Sequence, residues 1–148
     1  MKISTKGDYA TRALQDLALH YGEGPIPIEA IAKRQALPVR YLEQLLLILK
    51  RAGFLTSKRG VNGGYYLAKP PREITLGQIV RAVDGPIVPI YCVSEAPREH
   101  CSQEPYCALR DVWLEVRHAV SAIVDHTTLA DICDRIRAGT RERVTYQI

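Results

Sequence analysis

The chain has no apolar run long enough to cross a bilayer. The longest, Leu45–Leu49, falls far short of the roughly 20 residues that a spanning helix needs. The opening residues, Met1-Lys2-Ile3-Ser4-Thr5-Lys6, lack the apolar stretch of a secretory signal. Secretion and membrane spanning are therefore not expected, and the expected location is cytoplasmic. Four cysteines in 148 residues are few for a disulfide scaffold. In a cytosolic chain they read as thiols or metal ligands. No nucleophile–base pair, phosphate-binding loop or pair of catalytic carboxylates stands out, so an enzyme is not expected. Internal repeats and low-complexity tracts are also missing. What remains is a chain with 47% apolar and 24% charged residues, enough to build a core.

Charge of one sign is unevenly spread. Residues 1–80 hold 12 Lys+Arg against 6 Asp+Glu, and residues 81–148 hold 8 against 10, so the net +4 divides into +6 and −2. All six lysines lie in the first part, whereas Cys92, Cys101 and Cys107 lie in the second. A concentrated basic charge suits a polyanionic partner, with an ordinary solvated surface as the alternative.

Ala10, Ala13, Leu14, Leu17, Ala18 and Tyr21 recur at three- and four-residue steps, the apolar face of a first helix. Gly22-Glu23-Gly24-Pro25 ends it. A second helix is expected over 28–35 and a third over 39–52, the latter burying Leu42, Leu45, Leu46 and Leu49 and stopping at Gly53. Strands are expected over 54–57 and 65–68. The segment between them, Lys58-Arg59-Gly60-Val61-Asn62-Gly63-Gly64, suits a hairpin with a basic tip. Thr75 can cap a fourth helix over 76–84. Residues 85–106 contain four prolines and no sustained periodicity, which reads as a long loop, either functional or disordered. In a helix over 107–126, Leu109, Trp113, Val116, Val120 and Ile123 form a heptad-like stripe, suited to a coiled pairing or to burial within the chain. A last helix over 128–138 carries Leu129, Ile132, Cys133 and Ile136, and a loosely held tail begins at Gly139.

The expected fold is mainly α with a small β-hairpin wing. It comprises a winged helix-turn-helix domain (1–84), a cysteine-bearing loop (85–106), a long helix with a C-terminal helix (107–138), and a tail (139–148). In such a fold the third helix enters a major groove of double-stranded DNA and the wing reaches backbone or minor groove. Arg40, Tyr41, Glu43, Gln44, Lys50 and Arg51 surround the leucine stripe. Arg and Gln can bond base edges, and Glu can accept from cytosine. The alternative is a solvated helix face and hairpin tip.

Three blocks, Met1–Gly7, Tyr41-Leu42-Glu43-Gln44-Leu45 and Arg59-Gly60-Val61-Asn62-Gly63-Gly64-Tyr65, resemble the signature blocks of the Rrf-type winged-helix transcriptional regulators. The likeness runs from residue 1 to about 135, and the combination of blocks is specific. The resemblance implies a homodimer on a partly palindromic operator, with the long helix crossing to the partner. It implies DNA contacts from Arg40, Tyr41, Glu43 and Gln44 on the recognition helix and from Ser57, Arg59 and Gly60 on the wing. One cluster-binding branch carries serine where this chain has Arg40, a departure that bears on base preference.

Cys92-x8-Cys101-x5-Cys107 offers three soft ligands on one loop, suited to an iron–sulfur cluster or zinc. Reduced free thiols or a regulatory disulfide are the alternatives. The resemblance implies that Cys92, Cys101 and Cys107 bind an iron–sulfur cluster, 2Fe–2S or 4Fe–4S, one per subunit. The cysteine-metabolism branch of the family lacks this trio. Another branch completes its site with a histidine three residues after the last cysteine. Arg110 stands there instead and cannot ligate. The nitric-oxide-sensing branch uses an aspartate matching Asp8, contributed by the other subunit, which implies Asp8 as fourth ligand. His100, Glu104, water or a small thiol are the alternatives. Cys133, on an apolar helical face, reads as a buried structural residue. The expected function is a DNA-binding regulator controlled by a cluster that responds to redox, nitric oxide or iron. A metal-free thiol-redox regulator and a zinc-binding interaction protein are the alternatives.

Overall fold

The computed structural model describes residues 2–96 and 99–145, with side chains as far as residue 139. Helix α1 (Thr5–Leu19) starts where the Ser4 hydroxyl accepts a hydrogen bond from the Gly7 amide, at 3.0 Å. Ala10, Ala13, Leu14, Leu17 and Ala18 are all buried, and other helices surround this one. The helix ends at Leu19, before Tyr21, which is therefore exposed and not part of the apolar face expected for it.

Helix α2 (Ile28–Gln35) is too short to be stable alone in water. Asp16, itself buried, fastens it to α1. Arg34 donates from Nε to Asp16 Oδ1 at 2.9 Å and from Nη2 to Oδ2 at 2.7 Å, and Gln35 Nε2 adds a third bond at 3.1 Å. Ala36 then takes the left-handed conformation, φ 53°. That conformation is uncommon for a residue with a Cβ, and it turns the chain into α3 (Val39–Arg51) within three residues. Leu42, Leu45, Leu46 and Leu49 of α3 are buried. At about 1.5–3 kcal/mol for each buried leucine side chain, packing outweighs helix propensity, which spans well under 1 kcal/mol per residue. Packing is thus what makes this segment a helix.

Strands β1 (Leu55–Lys58) and β2 (Gly64–Leu67) pair antiparallel, Leu55 opposite Leu67 and Lys58 opposite Gly64. Each differs by one residue from the strands expected. Phe54 is taken up by the exit of α3, its amide donating to the Leu49 carbonyl at 3.1 Å. Ala68 lies beyond the ladder, its amide donating to Phe54 O at 3.0 Å. Tyr65 also bridges to Ile26, bonding in both directions at 2.8 Å. Gly64 permits this approach, since a Cβ there would run into the Ile26 carbonyl.

Thr75 and Gln78 form a reciprocal capping box on α4 (Leu76–Asp84). Between α4 and α5 the described residues, 85–96 and 99–107, are irregular, with 3-10 turns at Tyr91–Val93 and Glu104–Tyr106. Helix α5 (Ala108–Val124) comes next, then α6 (Leu129–Thr145). Helix α6 returns to the N-terminal unit and packs on α1, placing Leu129 and Cys133 in the common core. It continues to Thr145, so residues 139–145 extend the helix and are not the loose tail expected. Gly139 does not stop it, and no proline stands beyond it to force an end.

No residue of α5 is buried. Leu109, Val112, Trp113 and Ile123 are exposed, Leu109 and Ile123 by more than 60%. Among the described residues, no helix is long and apolar enough to cross a membrane.

Asp16→Ala would leave the Arg34 and Gln35 donors without their acceptor. Arg34 is 38% exposed, so water recovers part of the loss. The expected destabilisation is about 2 kcal/mol. It should appear in urea unfolding as a lowered midpoint with unchanged slope. A shift below about 0.5 kcal/mol, the usual range of a neutral surface substitution, would remove Asp16 from this structural role.

Candidate nucleic-acid interface and thiol loop

The amphipathic pattern of α3 sorts its residues onto two faces. Leu42, Leu45, Leu46 and Leu49 turn inward, while Arg40, Tyr41, Glu43, Gln44, Leu47, Lys50 and Arg51 are exposed. Tyr41 is the most constrained of them. Tyr9 of α1 meets its ring edge-on, centroids 5.7 Å apart and planes at 81°. Lys50 Nζ donates to Ser57 Oγ at 2.6 Å, joining the end of α3 to the first wing strand. At the wing, Lys58, Arg59, Gly60, Val61 and Asn62 are exposed. Lys50, Ser57, Arg59 and Gly60 line a groove that runs between the wing and the start of α2. The residues expected to contact DNA thus lie on one accessible helix face and the adjoining hairpin. Arg and Lys there can hold phosphate, and Arg and Gln can bond base edges.

The cysteine segment is held differently. Cys92 lies in the first 3-10 turn, half-buried; Cys101 is exposed; Cys107, half-buried, stands at the N-terminal cap of α5. All three are free thiols. Arg117 of α5 fastens the segment through Nη1 to the Val93 carbonyl, at 2.7 Å, and through an ion pair with Glu95, at 3.1 Å. Arg81 of α4 grips Asp125 at the end of α5 through both carboxylate oxygens, which holds the Asp125 carboxyl below the ordinary aspartate range. Between these two pairs lies a cavity of about 300 Å³, lined also by Ile87, Val88 and Ser121. Both of its arginines already have carboxylate partners.

Among the described residues, no three His, Cys, Asp or Glu side chains gather into a metal-binding group. Asp8 is exposed on the first turn of α1 and faces Arg12 at 3.8 Å. His100 faces Glu104 at 3.7 Å, and Glu104 faces Arg110 at 3.2 Å. The Glu104–Arg110 contact is an ion pair without hydrogen-bond alignment. Arg110 Nε is therefore buried with no aligned acceptor among the described residues.

Chemically the donor set fits an iron–sulfur cluster. Three uncommitted thiols lie on one segment, and thiolate is the usual cluster ligand. The N-terminus of α5, which Cys107 caps, suits an anionic sulfur-rich group. Cys133 is a separate case. It is buried against α1, and burial pushes its thiol up, which suits the structural role expected for it.

Three residues important to this geometry give no signal in the sequence. Asp16 is an isolated acid in an apolar helix face, and periodicity does not single it out. Tyr9 and Asp84 act through contacts between segments far apart along the chain.

A recognition helix, a basic wing and a long exposed apolar helix are the parts of a winged-helix transcriptional regulator. The chain belongs to the Rrf2 family: the family model described as an iron-dependent transcriptional regulator matches residues 3–135. The chain is 42% identical over 132 residues to the HTH-type transcriptional regulator CymR of Bacillus subtilis, covering 89% of each. The structure of CymR, described as the global cysteine regulator of that organism, superposes with a TM-score of 0.78 at 39% identity, over 91% of this chain and 98% of CymR. The regulator IscR of Aliivibrio salmonicida is 36% identical over 132 residues, 89% of this chain and 77% of that one. IscR of T. potens superposes with a TM-score of 0.73 at 37% identity, over 92% of this chain and 88% of that one. CymR and IscR relatives match over similar lengths.

Alkylation of reduced, metal-stripped protein tests the placement of the thiols. Iodoacetamide should add to Cys101 first and then to Cys92 and Cys107, while Cys133 should react only on unfolding. Intact-mass spectra should show three adducts in the native protein and four in denaturant. Native modification of Cys133 at the rate of Cys101 would contradict the packing of α6.

Proposed function

We propose that this Rrf2-family transcriptional regulator works as a homodimer on a partly palindromic operator, with an iron–sulfur cluster on each subunit controlling binding. In this reading residues 1–84 read DNA, 85–106 sense, 107–138 pair the subunits, and 139–148 lie outside those tasks. The carrying observation is the joint one of an exposed polar face on α3, a basic wing beside it, and three free thiols on the segment after α4. The exposure of Leu109, Val112, Trp113 and Ile123 supports pairing through α5, since no described residue covers them. A dimer reads two half-sites at fixed spacing, so a small change in the distance between recognition helices alters affinity strongly.

Arg40, Tyr41, Glu43 and Gln44 face base edges, and Ser57, Arg59 and Gly60 face the backbone or minor groove. Cys92, Cys101 and Cys107 hold the cluster, with Asp8 of the partner subunit as fourth ligand. When bound, such a group supplies one-electron redox chemistry and a bonded tie among its ligands. The exposed position of Asp8 on the first turn of α1 makes it available to a second chain. Arg117 and Arg81 hold the loop and the end of α5 against the DNA-reading unit.

Binding to a promoter duplex should weaken steeply as salt rises. Arg59→Ala should reduce the salt slope by about one for each phosphate it leaves without a cation, while Gln44→Ala should cost about 1–3 kcal/mol on the preferred sequence alone. Salt-independent binding would argue for a protein-interaction role.

Protein purified without oxygen should contain iron and sulfide and absorb in the visible, and Asp8→Ala should bleach faster in air. Protein that stays colourless and iron-free after anaerobic reconstitution would overturn the cluster. The second reading, a metal-free thiol switch, is favoured by the exposure of Cys101 and would then show a disulfide mass loss after mild oxidation.

A further inference from the structure

Asp84 is the last residue of α4 and stands directly ahead of the cysteine-bearing segment. Its carboxylate accepts two hydrogen bonds from Ser4, one from the backbone amide at 2.9 Å and one from the hydroxyl. The same hydroxyl oxygen accepts the Gly7 amide and so caps α1. Gly7 allows this approach, because a Cβ there would run into the Asp84 carboxylate. The first turn of α1 is therefore clamped at the root of the thiol loop. Just beyond that turn, Tyr9 meets Tyr41 on the first turn of α3. Tyr41 adjoins Arg40 and lies on the same exposed surface as Glu43 and Gln44.

Each link restricts direction. The carboxylate receives both a backbone and a side-chain donor, which fixes the entry of α1. A helix is stiff over two turns, so its start carries Tyr9 with it. An edge-to-face aromatic pair biases one conformer by about fivefold. That is too little to hold a fold together, but enough to select the placement of one side chain at a base edge.

We infer that Asp84 and Tyr9 are positioning residues for DNA reading: Asp84 sets the first turn of α1 from the root of the cysteine loop, and Tyr9 seats Tyr41 on the recognition helix. The inference rests on the reading that α3 contacts base edges. Any displacement of the loop at Gly85 reaches Asp84 first, and through it the start of α1.

The test uses the full chain and two duplexes of equal length, one selected by the wild-type protein from a random-sequence library and one unrelated. Tyr9→Leu should weaken binding to the selected duplex by about five- to tenfold and leave the unrelated duplex within about twofold. Tyr9→Phe keeps the ring edge and should restore the wild-type value. Asp84→Asn should give a similar selective loss. Since both act along one line of contacts, the double variant should lose little more than the larger single loss. Equal losses on both duplexes, an impaired Tyr9→Phe, or a double loss equal to the product of the singles would overturn the inference. If Asp84→Asn does not fold, the two Tyr9 variants decide alone.

Arg40→Ala and Gln44→Ala in the same assay separate the inference from the reading beneath it. If neither weakens the selected duplex, α3 is not the base-reading helix and both fall. If they do and Tyr9→Leu does not, the recognition helix stands and the positioning role falls.

Discussion

The buried carboxylate of Asp16 is the interaction on which the DNA-reading geometry depends. Helix α1 has apolar neighbours on most sides, and Asp16 is the one charged side chain buried among the described residues. A planar guanidinium that meets a carboxylate through two parallel bonds restricts the orientation of both partners. Arg34 therefore fixes the rotation of α2 as well as its distance from α1. Helix α2 has eight residues and no side-chain cap at its start, and Ile31 and Ala32, buried in the core, restrain it together with that fork. A three-residue turn through Ala36 then leads into α3. The axis of α3 is thus determined by where α2 ends. A buried pair of this kind adds modestly to net stability, because desolvation offsets much of its attraction. Its effect is mainly directional.

The second half of the chain obeys another logic. The N-terminal unit buries most of its large apolar residues, whereas α5 buries none fully and leaves Leu109, Val112, Trp113 and Ile123 exposed. The thiol segment is fastened at a few points, chiefly Val93 and Glu95 to Arg117, with Ile87 and Val93 as its buried apolar anchors. Segments with few buried contacts open at low free-energy cost. That suits a region whose cysteines must meet a ligand or an oxidant. Helix α6 then closes on α1, so the cysteine-bearing segment and α5 lie between two elements, α4 and α6, that both pack on α1.

The helices and the wing are legible in the sequence because their signals are local. The leucines of α3 recur at helical spacing, and Thr75 with Gln78 supplies a recognisable capping pair, so those elements fall within a residue or so of expectation. The one-residue shift of the strands arises where the exit of α3 takes up Phe54, its amide bonded to the Leu49 carbonyl, and α6 extends past residue 138 because Gly139 does not end the helix. The clamp at Asp84, the Tyr9–Tyr41 contact and the Asp16 fork join residues 80, 32 and 18 positions apart. No periodicity signals such contacts. The thiol trio is an intermediate case: its composition is visible in the sequence, but the described residues of one chain do not draw its members together with a fourth donor.

The choice of fourth donor then turns on which acid is already committed. Glu104 and Arg110 have side chains only 22% and 27% exposed. A shielded pair is harder to separate than a solvated one, because each charge would lose its partner without full hydration. Arg110 thus has a double effect. It stands where one branch of the family has a ligating histidine, and it engages the nearest acid that could substitute. Asp8 is paired as well, but with Arg12 at 3.8 Å and 58% exposed. An ion pair in that setting contributes about 0–1 kcal/mol and yields readily to a stronger partner. The electrostatics of the chain therefore favour Asp8 over Glu104. Because Asp8 sits on the helix that Asp84 clamps and that carries Tyr9, a bond to it from another subunit would act on the same helix that positions the recognition surface.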